Sequence, residues 1–276
     1  MTKSNVPENS PLGQQPVYIA DYSPQLLYPI PRAPGYAQLG IQGALPFCGM
    51  DIWTAYELSW LNPRGKPVIA MARIEVPCES PRIIESKSFK LYLNSFNQTR
   101  FSDQGQVGQV LTVDLSNAAG SPVTVKILNA QAWPAAQNCG EEYQCIDAQG
   151  IDIDRYQPDA QLLQANTATP VAERLVSHLL KSNCPVTGQP DWASLYLDYR
   201  GPMIDRAGLL RYLVSFRQHQ GFHEQCVEQI FMDIKRLCQP EHLTVTARYL
   251  RRGGLDINPV RSTDVDYPVI GRTVRQ

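Results

Sequence analysis

Apolar residues recur in this chain with the spacing of an amphipathic helix, and the pattern occurs twice. The first stripe falls at i, i+3, i+4 and i+7 and consists of Phe89, Tyr92, Leu93 and Phe96. The same stripe returns 120 positions later as Leu209, Tyr212, Leu213 and Phe216. A serine and a glutamine within and just after each stripe are also shared, which favours an internal repeat.

The similarity continues without a gap into a second helix and then a strand. In the second helix the matching apolar residues are Val107, Val110 and Leu111 in one copy and Val227, Ile230 and Phe231 in the other. Strands are indicated by the β-branched runs that begin at Val123 and at Leu243. Two extended runs precede each helix pair, at 56–61, 68–76, 175–180 and 194–199. Each copy therefore reads strand, strand, helix, helix, strand and a further strand.

This order predicts an α+β fold made of two tandem modules, each an antiparallel sheet with two helices packed on one face. We expect the first module at residues 46–150 and the second at 151–276, after an N-terminal arm at 1–45. The alternative is a chance similarity between two amphipathic helices. Agreement across three consecutive elements disfavours that alternative.

Composition limits the possible partners and the compartment. The 276 residues are 43% hydrophobic, which is enough for a large core, and 25 basic residues balance 26 acidic ones. No overall positive charge therefore favours nucleic acid or an anionic membrane. Residues 1–16 lack the apolar core of a signal peptide, and no stretch approaches the length of a membrane span. Seven cysteines without framework spacing indicate free thiols, so we expect a cytoplasmic protein.

Two residues of candidate chemistry occupy the turn at 181–191, whose counterpart near residue 62 lacks both of them. Cys184 lies on a loop bounded by proline and glycine, where the thiol can be exposed and where Lys181 could favour the thiolate. Asp191 could act from across the turn as a general acid. The alternatives are that Cys184 is an inert filler residue and that Asp191 only marks the start of a strand.

A second pair, His223 and Glu224, opens the later of the two helices in the second copy. A glutamate in a first turn interacts favourably with the helix dipole, so a capping role explains Glu224 as well as a functional one does. His223 could titrate near neutrality or bind a heterocycle. In the first copy the string Glu85-Ser86-Lys87 stands before a helix and also resembles a cap.

The sequence contains no metal-binding or nucleotide-binding motif that would indicate another class of enzyme. Cys139 and Cys145 do not form paired ligands with a histidine cluster, so we expect no metal, with a structural zinc as a minor alternative. There is no Gly-x-Gly-x-x-Gly after a strand and no phosphate-binding loop. The residues alone thus indicate a thiol enzyme of unknown substrate.

The chain nevertheless resembles a known family along its whole length. The string Glu85-Ser86-Lys87-Ser88-Phe89-Lys90-Leu91-Tyr92 is similar to the signature of the long, two-module form of 7-cyano-7-deazaguanine reductase (QueF). These enzymes are tunnelling-fold relatives of GTP cyclohydrolase I, and the signature separates them from the hydrolases. Further similar blocks lie at 181–192, 222–226 and 251–259.

The resemblance implies a reaction in queuosine biosynthesis for tRNA modification. Cys184 would add to the nitrile carbon to form a covalent thioimide, Asp191 would protonate the nitrogen, and His223 would assist proton transfer. Two NADPH would be used because converting a nitrile to an amine takes four electrons. The implied product is 7-aminomethyl-7-deazaguanine, and the implied substrate is a free base, so no direct contact with tRNA is expected.

The resemblance also assigns the binding residues. Those implied to bind the substrate, besides His223, are Ile84, Glu85, Ser86, Phe222 and Glu224. Those implied to bind NADPH are Ser86, Lys87, Arg252 and Gly253. We expect a homodimer. Two alternatives stay open: a metal-dependent hydrolase of pterins or purines on the same fold, and a non-catalytic binding or assembly protein in which Cys184 is buried and replaceable.

Overall fold

A computed structural model describes residues 18–129, 132, 135–136 and 142–276. The chain divides into two compact units, each assembled from more than one segment. Unit 1 comprises Met1–Gln42, Met50–Pro134 and Arg251–Ile257, and unit 2 comprises Gly43–Gly49, Ala135–Leu250 and Asn258–Gln276. The modules expected at 46–150 and 151–276 are continuous segments, whereas these units are not.

Unit 1 contains a three-stranded antiparallel sheet and a separate antiparallel strand pair. Its strands are β1 (Pro29–Pro31), β2 (Cys48–Leu61, whose first two residues belong to unit 2), β3 (Pro67–Pro77), β4 (Arg82–Ile84) and β5 (Thr124–Leu128). The sheet has the order β5-β3-β2, and β1 pairs with β4. The helices are α1 (Ala33–Gln38), α2 (Ser86–Asn94) and α3 (Gln104–Ala119), with a short 3-10 helix at Pro24–Leu26.

The core of unit 1 forms where α2 and α3 cover one face of this sheet. Phe89 and Tyr92 from the predicted stripe are fully buried, and the Phe89 ring meets Trp53 of β2 with centroids 5.0 Å apart. Val107 and Leu111 of α3 belong to the same apolar cluster. Each such buried side chain stabilises the fold by roughly 1.5–3 kcal/mol, so the apolar stripe fixes how the helices sit on the sheet.

Unit 2 contains a larger sheet. Its strands are β6 (Gln144–Cys145), β7 (Ala165–Asn183), β8 (Pro190–Ile204), β9 (His242–Tyr249) and β10 (Leu255–Ser262, whose first three residues belong to unit 1). Its helices are α4 (Arg206–Ser215) and α5 (His223–Cys238), with 3-10 helices at Ala160–Leu162 and Phe216–Gln218. Within the unit α4 packs against β7 and α5 against β9.

The sheet of unit 2 departs from the all-antiparallel arrangement expected from the sequence. The pairs β7–β8, β8–β9 and β9–β10 are antiparallel, but β6 runs parallel to β7 over two residues. Among the described residues of unit 1, no strand follows β5, where the first module was expected to have one. Instead, the next strand along the described chain is β6, and unit 1 takes Leu255–Ile257 from the distant β10.

The helices α2 and α4 begin in the same way. Glu85 is the N-cap of α2 and Asp205 is the N-cap of α4, and each side chain accepts hydrogen bonds from two backbone amides of the following turn. An acidic N-cap satisfies amides that have no partner within the helix and also suits the positive end of the helix dipole.

Among the residues described, no helix is long and apolar enough to cross a membrane.

Candidate active site

Cys184 lies directly after β7, at the base of the loop that leads into β8. The loop is closed by two backbone hydrogen bonds, from Cys184 N to the Gln189 carbonyl (2.9 Å) and from Gly188 N to the Cys184 carbonyl (3.0 Å). Gly188 has a φ of +68°, a left-handed conformation that glycine adopts without strain. The hairpin therefore holds the cysteine backbone at a fixed position beside the strand ends.

The thiol is less exposed than its position on a loop suggested. Only 9% of Cys184 is accessible, because residues 219–221 return against the end of β7. Asn183 N donates to the His219 carbonyl (2.8 Å) and the Asn183 carbonyl accepts from Gly221 N (3.2 Å). The loop position allowed an exposed thiol, whereas the structure places Cys184 among the buried residues.

The ammonium group of Lys181 already donates hydrogen bonds to two acceptors outside the 184–189 loop. Its Nζ donates to Asn183 Oδ1 (2.7 Å) and to the Arg217 carbonyl (2.8 Å). Burial, and then the charge of Arg217, lower the pKa of Lys181, while Asp191 opposes that change. The suggested stabilisation of a Cys184 thiolate by Lys181 stays a prediction.

Asp191 and His223 meet in the interior of unit 2. Asp191 is the second residue of β8 and pairs with Ser182, which lies two residues before Cys184. His223 is the first residue of α5. The Asp191 Oδ2 atom lies 3.3 Å from His223 Nε2, with the two side chains 2% and 10% exposed. A buried carboxyl and imidazole in contact can share a proton, which is what general acid–base chemistry requires.

The structure adds a residue that the sequence pattern did not single out. The Tyr249 ring at the end of β9 stacks on the His223 imidazole, with centroids 3.8 Å apart and planes inclined by 5°. Its hydroxyl lies beside the thiol of Cys226, whose pKa burial raises to about 12. The β-branched run that begins at Leu243 predicted only that a strand forms here. The contact with His223 depends on strand register, which the sequence did not reveal.

The start of α5 differs from the start of α3, its counterpart in unit 1. The N-cap of α3, Asp103, accepts a hydrogen bond from Gln106 N (2.9 Å), whereas the N-cap of α5, Phe222, makes no side-chain cap. Glu224 lies in the first turn of α5 and is 3% exposed. Its charge suits the helix dipole, and its role in binding substrate stays a prediction.

Gly221 lies just before this helix start, and its lack of a side chain is required sterically. A Cβ atom there would come within 2.8 Å of His219 Nε2 and 3.2 Å of Cys226 Sγ. We expect Gly221→Ala to destabilise the protein by about 1–3 kcal/mol, the usual cost of overpacking. Urea unfolding should show this loss, while Gly150→Ala, where a Cβ meets nothing within 4 Å, should stay within about 0.5 kcal/mol of the parent. Equal stability of the two variants would contradict the steric argument.

In unit 1, the predicted Glu85 motif forms a helix cap. Glu85 is 1% exposed, and its carboxylate oxygens accept from Lys87 N (2.8 Å) and Ser88 N (2.7 Å). Ile84, the last residue of β4, pairs with Pro29, and Glu85 N donates to the Tyr28 carbonyl. The capping interpretation is therefore observed. A carboxylate accepts up to four hydrogen bonds, so capping leaves acceptor capacity on Glu85.

The predicted cofactor residues come from two distant segments of unit 1. Ser86 and Lys87 begin α2, and Arg252 and Gly253 lie in a turn closed by the hydrogen bond from Arg252 N to the Leu255 carbonyl (2.9 Å). Gly253 and the next glycine have φ of +56° and +80°, as a type I′ turn requires. A Cβ on Gly253 would lie 3.1 Å from Cδ of Lys90, so the turn packs on α2 one helical turn beyond Lys87. The sequence motif contained Lys90 but did not indicate this contact.

No group of three or more His, Cys, Asp or Glu side chains that could hold a metal ion occurs within the described part of the chain. Cys139, one of the two cysteines considered for a structural zinc, lies outside the described residues, and Cys145 is an exposed free thiol.

Unit 2 thus holds a buried cysteine directly after β7 and a buried acid–imidazole contact between β8 and α5. Comparison with known families is more specific. Residues 18–127 match the family model described as "Nitrile reductase, 7-cyano-7-deazaguanine-reductase N-term", and residues 190–267 match the one described as "QueF-like protein".

Relatives cover the whole chain. The protein named NADPH-dependent 7-cyano-7-deazaguanine reductase from Verminephrobacter eiseniae (strain EF01-2) is 56% identical over 99% of this chain and 100% of its own length. Proteins of the same name from Burkholderia orbicola (strain MC0-3) and Burkholderia vietnamiensis (strain G4 / LMG 22486) are each 55% identical over 98% of this chain and 99% of their own. The chain belongs to the family of NADPH-dependent 7-cyano-7-deazaguanine reductases.

Proposed function

We propose that this chain reduces the nitrile of 7-cyano-7-deazaguanine to the aminomethyl group of 7-aminomethyl-7-deazaguanine, through a covalent intermediate on Cys184. As a member of the family it is an NADPH-dependent oxidoreductase that acts on a nitrile. The observation that carries the covalent mechanism is the position of Cys184 in a hairpin loop next to the buried Asp191–His223 contact. A nitrile carbon calls for a soft nucleophile, and a thiolate supplies one without a metal.

In the first step the Cys184 thiol passes its proton to the Asp191 carboxylate, the sulfur forms a bond to the nitrile carbon, and one π bond of the nitrile breaks. The nitrogen then takes a proton from the Asp191 carboxyl, which gives a neutral thioimide. His223, with Nε2 at 3.3 Å from Asp191 Oδ2, returns a proton to that carboxyl. If β7 is extended with regular strand geometry from Ser182, the partner of Asp191, to Cys184, the Cα atoms of Cys184 and Asp191 are on the order of 8 Å apart. This separation leaves room for a nitrile between the two side chains.

The residues of unit 1 fit a phosphate-bearing cofactor. Lys87 and Lys90 lie one turn apart on α2, and the Arg252 turn packs against Lys90. A Cβ on Gly253 would fill the space against Lys90, which supports a close backbone approach there. Ser86, Lys87, Arg252 and Gly253 would hold NADPH. The bound cofactor supplies hydride, and two equivalents are needed for the four-electron reduction.

Recognition of the deazapurine would use acceptors and one aromatic face. Glu85 and Glu224 are both at least 97% buried. Either carboxylate can accept a hydrogen bond from a donor edge of the base. Phe222, half-buried before α5, offers a stacking face, and His223 follows it. The backbone around Ile84 and Ser86 would add further contacts.

The broader assignments are proposals of the same kind. The shared element order and acidic caps of α2 and α4 support two tunnelling-fold modules. Balanced charge supports a free-base substrate in queuosine biosynthesis without direct contact with tRNA. The described cysteines carry free thiols, which supports the cytoplasm. A homodimer is the expected assembly, and sedimentation analysis would test it.

Intact-protein mass spectrometry tests the covalent mechanism directly. Incubation with 7-cyano-7-deazaguanine in the absence of NADPH should raise the protein mass by one substrate molecule, because the thioimide then cannot be reduced. Peptide mapping should place the added mass on Cys184. The product 7-aminomethyl-7-deazaguanine has no electrophilic carbon and serves as the control that forms no adduct. Binding of the base without an adduct at any pH would count against the mechanism and favour a binding protein.

A further inference from the structure

The His223 ring is held in an unusual way for a histidine in a proton-transfer pair. Its Nε2 faces Asp191, but its Nδ1 is buried and no hydrogen-bond partner for that atom is found among the described residues. Functional histidines are normally oriented by a hydrogen bond at the second nitrogen. The torsion that turns an imidazole is broad, so one hydrogen bond alone leaves the ring plane poorly defined.

The Tyr249 ring supplies the missing constraint. It lies parallel to the imidazole, with centroids 3.8 Å apart and planes 5° apart. Rotation of the His223 ring out of this plane would push its edge into the tyrosine face. The stack therefore limits the imidazole to orientations parallel to the tyrosine ring, and in the observed one Nε2 lies 3.3 Å from Asp191 Oδ2.

Tyr249 is itself fixed by the sheet. It pairs with Ala193 in the β8–β9 ladder, and its carbonyl accepts a hydrogen bond from Gln276 Nε2 (2.9 Å). Because side chains alternate along a strand and register partners share a face, Asp191, Ala193 and Tyr249 point to the same side of the sheet. The strands thus hold the Asp191 carboxyl and the Tyr249 ring on the same side of the sheet. His223, at the start of α5, contacts both groups.

We propose that Tyr249 is a positioning residue, whose ring holds the His223 imidazole in the plane from which it exchanges a proton with Asp191. This role rests on the proposed function, although the stack itself does not. Tyr249 is fully buried, and burial raises its pKa well above the usual value, so the ring presents a neutral face. The contact with His223 is made by the ring, and a phenylalanine should therefore preserve it.

Kinetics of matched variants test the role. Tyr249→Leu should lower kcat by about 10²-fold, the cost of a small misplacement of a reacting group, with the Kd for 7-cyano-7-deazaguanine within about threefold of the parent. Tyr249→Phe should keep kcat within about threefold of the parent value. Tyr196→Leu is the control, since Tyr196 is equally buried on the opposite face of β8 and should lose stability but not kcat. A Tyr249→Phe variant as slow as Tyr249→Leu would transfer the role to the hydroxyl and overturn the proposal.

Nuclear magnetic resonance of the parent protein gives a test that needs neither turnover nor a folded leucine variant. A ring stacked at 3.8 Å should shift the His223 imidazole protons upfield of those of His178 and His242, with His223→Gln used for assignment. Unshifted His223 signals would overturn the proposal. If the shift is present but the parent protein does not reduce the nitrile, the proposed function fails. If the parent is active and Tyr249→Leu keeps its kcat, only the positioning role fails.

Discussion

Cys184→Ala is expected to abolish nitrile reduction and to remove the substrate adduct, while binding of 7-cyano-7-deazaguanine persists. The reason is that the alanine methyl group cannot form the carbon–sulfur bond on which the proposed mechanism depends. Loss of a covalent nucleophile typically lowers kcat by at least about 10⁴-fold. NADPH oxidation measured at 340 nm, a wavelength at which only the reduced cofactor absorbs, and intact mass after incubation with the base would report the two effects separately.

A second buried cysteine provides the matched control. Cys238 is 1% exposed, and burial raises its pKa to about 11, but it stands at the other end of α5, roughly 20 Å from His223 by helical rise. Cys238→Ala makes the same chemical change and should cost stability without changing turnover or the adduct. Turnover by Cys184→Ala comparable to that of Cys238→Ala would refute the nucleophile assignment.

The sequence predicted elements whose pattern is local. The stripes that contain Phe89 and Leu209 became α2 and α4 because a 3.6-residue period leaves one apolar face to bury. The capping role considered for Glu85 is also observed, since an acidic side chain before a helix meets amides that have no other partner. Such features require only the few residues around them.

What the sequence did not predict depends on contacts between distant segments. The two-residue strand β6 carries too little pattern to indicate a parallel pairing with β7. Burial of Cys184 follows from the return of residues 219–221, and the stack on His223 follows from the pairing of Tyr249 with Ala193. The residue roles in turn came from resemblance to the family, because a lone cysteine and a lone aspartate are more often structural than catalytic.

Asp191→Asn is expected to lower kcat by about 10²–10⁴-fold while the Kd for the base stays within a few-fold. Asparagine has nearly the same shape and can still contact His223 Nε2, but an amide cannot give a proton to the developing nitrogen anion. Formation of the adduct should therefore slow together with turnover, which rapid-quench mass spectrometry would measure. A variant that forms the adduct at the parent rate would restrict Asp191 to later proton transfers.

The control for this substitution lies on the same strand. Asp198 is partly exposed, and it accepts a hydrogen bond from Arg174 Nε (2.9 Å). Asp198→Asn removes one negative charge from β8, as Asp191→Asn does, but at a position whose side chain points to the other face of the sheet. If both variants lost turnover equally, the effect would come from charge or strand stability. A loss confined to Asp191→Asn would instead support a carboxyl that donates its proton to the substrate, because only that position contacts His223.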